Sequence, residues 1–190
     1  MKAVLISIKP NWCKLIWSGM KTVEVRKTRP KLEAPFKVYI YCTGAETWWQ
    51  RFPKTGLQKM EECVIGTFVC DKIDRLTHIG AMDSREPAKL YIETPDLQYE
   101  YPDELLQAAC LTKAEAEKYL KGGDGYGWHI SDLKIWDEPA RLKNFWGMKP
   151  CGHGGDCCTC LQWDNMKEEC CASRYISRPP QSWCYMEDSE

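Results

Sequence analysis

Residues 9–29 read Lys-Pro-Asn-Trp-Cys-Lys-Leu-Ile-Trp-Ser-Gly-Met-Lys-Thr-Val-Glu-Val-Arg-Lys-Thr-Arg, and their reading decides the fold. Pro10 suits the first position of a helix, where its missing N–H would have no partner anyway. Trp12, Leu15, Ile16 and Met20 then recur at helical spacing, with Lys14 and Ser18 outside. Gly19 closes the helix, because it takes the left-handed conformation without a Cβ penalty. Thr22–Arg26 alternates, with Val23 and Val25 on one face and Thr22, Glu24 and Arg26 on the other. Charges of both signs beside β-formers mark that second face as a polar site.

Outward from this stretch, strands dominate. Residues 3–8 are a nearly all-apolar, β-branched run that reads as a central strand, and 37–42 form a second one. Residues 63–75 read as one long strand bent at Gly66. Residues 43–62 show no period and read as a surface excursion anchored by Trp48-Trp49. A short helical turn covers 105–110. Thr112 and Glu115 form a capping box that opens a helix to Lys121, closed by Gly122-Gly123. Residues 126–136 alternate as a strand ended by Asp137-Glu138-Pro139, and 181–186 have strand chemistry after Pro179-Pro180. Many strands interrupted by short helices give an α+β class: a small mixed, mostly antiparallel β-barrel with helices plugging its ends. The domain plan is a barrel over 1–145, a Cys-rich insert over 146–177, and a closing strand with a tail over 178–190.

No apolar run reaches the roughly 18 residues that a membrane span needs. The apolar N-terminus is too short for a signal peptide, so the expected location is cytoplasmic, with no membrane partner. The 190 residues carry a net charge of −1, unevenly spread. Residues 1–37 hold nine Lys or Arg against Glu24 and Glu33, a local +7 that leaves −8 for the rest. Such a basic end is the footprint of a surface that meets phosphate. The twelve cysteines divide into two groups. Cys13, Cys42, Cys63, Cys70 and Cys110 lie among apolar residues and read as small buried side chains.

The other seven crowd the end of the chain: Cys151, Cys157, Cys158, Cys160, Cys170, Cys171 and Cys184. Cys157-x-x-Cys160 has zinc-knuckle spacing. Cys151 and Cys170 complete a candidate tetrahedral structural zinc site, with His153 or Cys171 as substitutes. Zinc would supply the folding energy that this Gly-rich, core-poor segment lacks.

At the opening stretch, Arg26 offers a planar fork for a phosphate or a base edge, and Lys21 a point charge. Glu24 is suited to accept a proton from a sugar hydroxyl or an exocyclic amine. Lys9 and Trp12 flank them as further ligand contacts, Trp12 as a stacking surface for a base. His129, beside Trp128, is a lesser acid–base candidate.

Lys9-Pro10, Trp12, Leu15-Ile16 and the run Gly19-x-Lys21-x-x-Glu24-x-Arg26 together resemble the signature of the ASCH domain, in the PUA-like superfamily. The likeness extends to bacterial and bacteriophage members that end in a segment like Arg178-Pro-Pro-Gln-Ser-Trp-Cys-Tyr185. It covers residues 2–140 and about 178–187, outside the Cys-rich insert. It implies a PUA-like barrel with a cleft over the motif that takes RNA or a modified nucleotide, in a bacterial cell and in some cases from a phage. It also implies two alternatives. One is a nucleoside-acting hydrolase, an amidohydrolase or ribonuclease, using Lys21 and Glu24. The catalytic Thr of the amidohydrolase members falls at Glu24 here, and a carboxylate cannot perform hydroxyl chemistry. The other is a phage-borne interaction protein whose Cys-rich insert docks a protein partner.

Overall fold

A strand buried on both faces has no polar side to show, and Lys2–Ile8 (β1) is such a strand: six of its seven residues are buried. It lies between two partners. Phe36–Cys42 (β3) pairs with it in parallel, and Trp183–Glu187 (β14) pairs with it antiparallel. This central place explains the unbroken apolar run. The structure, a computed structural model, describes residues 1–80, 88–147, 163–164, 169–170 and 175–188.

The remaining elements, in chain order, are Pro10–Trp17 (α1), Val23–Arg26 (β2), Trp49–Phe52 (β4), Gly56–Lys59 (β5), Cys63–Cys70 (β6), Ile73–Ile79 (β7), Lys89–Glu93 (β8) and Tyr99–Glu100 (β9). Asp103–Ala108 (α2), Lys113–Leu120 (α3), Gly125–His129 (β10), Ser131–Arg141 (β11), Trp163–Asp164 (β12) and Glu169–Cys170 (β13) complete the set. One five-stranded sheet has the order β11-β6-β3-β1-β14, a second has the order β2-β10-β7-β8-β9, and two hairpins pair β4 with β5 and β12 with β13. The class is α+β, mostly antiparallel with short helices, and the pairings give two open five-stranded sheets rather than one ring. No helix among the described residues is long and apolar enough to cross a membrane.

The chain divides into two compact units. Met1–Pro10, Lys37–Thr67 and Lys134–Glu190 form the first. Its core gathers Leu5, Tyr39, Val64, Phe145 and Met186, and the Tyr39 ring meets Trp136 and Phe145 edge-on at 6.0 and 5.5 Å. Asn11–Phe36 and Phe68–Leu133 form the second. There α2 and α3 cover one face of the sheet. Leu105, Leu106 and Ala116 pack on Val23, Val25, Leu76 and Leu90. Thr112 and Glu115 make the expected capping box of α3.

Three readings of the sequence need correction. Residues 63–75 are two strands, β6 and β7, which belong to different sheets and part at the polar pair Asp71-Lys72. Residues 126–136 likewise split at Ile130 into β10 and β11, and β11 runs through Pro139 to Arg141. Proline is tolerated there because β11 is an edge strand with one row of N–H groups free of the ladder. Residues 43–62 contain the β4–β5 hairpin, with Trp48 buried and Trp49 exposed. Of the five scattered cysteines, Cys13, Cys42 and Cys70 are buried, while Cys63 and Cys110 are only half so. Burial, aided by the charge of Asp71, pushes the Cys70 thiol up to about 12.

Gly66 permits a close approach. A Cβ there would collide with the Lys134 carbonyl oxygen and stand 2.9 Å from Ile135 Cα. Both are backbone atoms that cannot swing aside. Gly66→Ala is therefore expected to cost at least about 1–3 kcal/mol, read as a lower urea midpoint with an unchanged m-value. An unchanged midpoint would mean that β11 is not held this tightly.

Candidate functional site

The turn at Gly19, with φ +73°, ends α1 and aims the chain at the last turn of α2. The final carbonyls of a helix have no partner within it. Here Ala108 O accepts the Thr22 N–H at 2.9 Å, and Ala109 O accepts the Lys21 ammonium at 2.6 Å. Lys21 thus caps α2, a charge of the sign that a helix C-terminus favours. Its Nζ also lies 4.9 Å from the centre of the Trp12 ring and 3.3 Å from Glu24 Oε2. Glu24 Oε1 meets Arg26 Nη2 at 3.0 Å. Each carboxylate oxygen therefore holds one cation.

Lys21, Glu24 and Arg26 converge, as the motif suggested, but they converge in the interior. They are 3%, 6% and 9% exposed, and all four residues of β2 are buried. Alternation correctly placed Glu24 and Arg26 on one face. That face is covered instead of open. Trp128, opposite Glu24 on β10, is fully buried and meets Phe36 edge-on at 5.9 Å.

Beyond the strand the side chains come out to solvent. Lys27 lies over the Tyr119 ring at 5.2 Å and Arg29 over the Tyr126 ring at 5.8 Å. Both cations are exposed, Tyr119 is 40% exposed, and its hydroxyl also bonds Arg26. Burial and the Glu24 charge raise the Tyr119 hydroxyl above its ordinary value, against the pull of Arg26. The +7 charge of the first 37 residues is not one free patch. Lys2 lies over Tyr185, Lys37 is paired with Asp188, and Lys21 and Arg26 share Glu24. Lys9, expected at the ligand, is exposed between β1 and α1 in the other unit.

A cavity of about 980 Å³ opens beside the start of β2. Thr22, Val23, Ile92, Leu105 and Ala108 line it, together with Lys72, Asp74, Glu104 and His129. Lys21, Glu24 and Arg26 do not. His129 Nε2 lies 2.7 Å from Asp74 Oδ2, and Lys72 Nζ lies 2.9 Å from Asp74 Oδ1. Burial pushes the Asp74 carboxyl up, but the His129 and Lys72 hydrogen bonds outweigh it and hold it below its ordinary 3.8. Asp74 is the residue that sequence reasoning missed. It stands 55 positions from His129, and only the β7–β10 pairing brings the two together. Asp74 stands in a mixed strand beside Arg75, Thr77 and His78, so nothing local to the sequence singles it out.

Solved structures share this fold. The crystal structure of ASCH from Zymomonas mobilis matches with a TM-score of 0.52 at 17% identity, over 98% of this chain and 88% of that one. The chain has an ASCH-like fold. Two variants of the same Zymomonas protein, one Tyr-to-Phe and one Ser-to-Ala, also match at 0.52 and 17%. They cover 99% of this chain and 92% of theirs, and 98% and 89%, respectively. No protein-family model matches the sequence, and neither does any curated protein. At 17% identity the ASCH likeness establishes architecture, and the chemistry rests on this chain's own residues. The zinc candidates Cys151, His153, Cys157, Cys160 and Cys171 lie outside the described residues, and Cys170 is described only as part of β13.

Glu24→Ala leaves two cations buried without their anion and is expected to cost about 3–5 kcal/mol. Exchanging all three residues for apolar ones of similar volume is expected to cost less than that single change, both measured by denaturant unfolding. A neutral Glu24→Ala would refute the buried network. For Asp74 the folded carboxyl lies below its unfolded value, so its stabilisation is present above pH 3.8 and is lost as pH falls through the folded value. The Tm gap between wild type and Asp74→Asn is accordingly expected near neutrality and closes in acid. A gap that does not depend on pH contradicts this assignment.

Proposed function

We propose that the protein binds RNA, recognising a nucleotide, modified ones included, beside the Gly19–Arg26 motif. The observation that carries this reading is the pair of exposed cations against tyrosine rings that continues from the motif: Lys27 on Tyr119 and Arg29 on Tyr126. Single-stranded nucleic acid is held by this combination, with cations for the backbone and π-faces for the bases. The ASCH-like fold supports the reading as architecture. The motif's role in it is to fix Arg26, whose guanidinium is held between Glu24 and Tyr119.

The geometry favours binding over hydrolysis at this place. A general base needs a free oxygen, and both oxygens of Glu24 are engaged by cations. Lys21 is 3% exposed and bonded to a carbonyl, so no ammonium is presented to a substrate.

Fluorescence anisotropy with a labelled single-stranded RNA tests this. Two phosphate contacts on a single strand, from Lys27 and Arg29, give a log–log salt slope of about −1.4, so affinity is expected to fall roughly sevenfold between about 50 and 200 mM salt. Lys27→Ala with Arg29→Ala, both exposed, is expected to weaken binding and flatten that slope, and Arg26→Ala to weaken it further. Absent or salt-independent binding would remove the reading.

A further inference from the structure

We propose that the cavity beside β2 is the pocket for the base, and that His129 reads an amine-bearing base there in preference to uracil. This rests on the RNA reading above and goes beyond it in naming the pocket, the reading atom and the class of base.

The imidazole is set up as an acceptor. Asp74 is held by Lys72 on one oxygen and by His129 Nε2 on the other, which fixes the ring and places the proton on Nε2. Apart from this bond, the ring makes no polar contact among the described residues, and in the neutral imidazole that donates from Nε2 the acceptor is Nδ1. The side chain is 32% exposed and lines the cavity. A pair serving only to brace β7 against β10 has no need of a half-exposed ring at the wall of a large cavity. Orientation by a carboxylate with the second nitrogen open is the arrangement that a ligand contact requires.

The walls suit a flat ring. Val23, Ile92 and Leu105 supply apolar surface. A volume of about 980 Å³ lies at the top of the roughly 300–1,000 Å³ range of small-ligand pockets. The polar lining sets the class of base. Glu104, Asp96 and Glu100 are exposed carboxylates on its rim, and Nδ1 adds another acceptor. Arg75, a cation of the lining, is already paired with Glu93 at 3.0 Å and with Asp124 at 2.7 Å. Of the other two lining cations, Lys72 is paired with Asp74 at 2.9 Å and Arg29 stands over the Tyr126 ring, so three rim carboxylates and Nδ1 face a single lining cation with no carboxylate partner among the described residues. An exocyclic amine, which offers two N–H groups, satisfies such a wall, whereas the two carbonyls of uracil face carboxylates. The same carboxylates repel phosphate, so the backbone stays beside Arg29, an exposed residue of the lining that stands over the Tyr126 ring, and beside Lys27 beyond it.

The experiment is an NMR titration of 15N-labelled protein with CMP, AMP, GMP and UMP, following the two imidazole nitrogens of His129. The expected result is a shift of Nδ1 with the amine-bearing nucleotides and affinities at least about tenfold above that of UMP. His129→Phe is expected to bring those affinities down to the UMP level, with Asp74→Asn giving a smaller loss in the same direction. Suppose RNA binds in a salt-sensitive way but His129 stays silent, or the base preference survives His129→Phe. Then this inference falls while the RNA reading stands. If no RNA or nucleotide binds at all, the RNA reading falls and takes the pocket with it.

Discussion

Glu24 carries a charge into a place with almost no access to water, and the second unit is built around the consequences. Taking an ion out of water costs several kcal/mol even after relaxation, and mutual attraction offsets this only where every lone pair and proton finds a partner. Here each oxygen of Glu24 has its own cation, and Lys21 spends a further hydrogen on the end of α2. Moving any one of these groups strands the others. The interaction therefore fixes more than itself: it sets the direction in which β2 leaves the turn at Gly19, the distance between β2 and α2, and the orientation of Arg26 at the end of the strand.

That pinning explains why the helices sit where they do. The Thr22 N–H and the Lys21 ammonium occupy the carbonyls of Ala108 and Ala109, groups that would otherwise need water. With its C-terminus held, α2 lays Leu105 and Leu106 on Val23 and Val25, and α3 continues the layer with Ala116 and Leu120. Polar satisfaction at one end of the helix and apolar burial along its side specify the same arrangement. Agreement between levels of this kind makes a fold unique as well as stable.

Local signals in the sequence were reliable because their causes are local. Gly19, the Thr112–Glu115 capping box and the apolar run of β1 each declare a conformation within a few residues. What was not legible depends on distant residues. Alternation shows a strand but not the sheet it joins, so β6 with β7, and β10 with β11, each read as one strand. The same limit applies at the site. Period two places Glu24 and Arg26 on one face but says nothing of what covers that face, so a buried network read as an open cleft. Lys21 finds its carbonyl 88 residues away and His129 its carboxylate 55 away. Neither distance leaves a trace in the spacing of the chain.

Burial also decides where an anionic ligand gains. A phosphate entering the motif would have to displace Glu24 from two cations, exchanging one anion for another with no net gain in pairing and with its own desolvation still to meet. Lys27 and Arg29 stand against tyrosine rings at the surface, contacts worth about 0.5–1 kcal/mol each when exposed. They give up little by turning to a phosphate, and the ring each one leaves is then open to a base. On the RNA reading proposed above, the motif's charges are the rigid support of the surface, and the ordinary-looking cations just past it are its working groups. The division follows from the energetics of solvation alone: in this strand, the charges that look most functional in the sequence are the ones least able to let go of their partners.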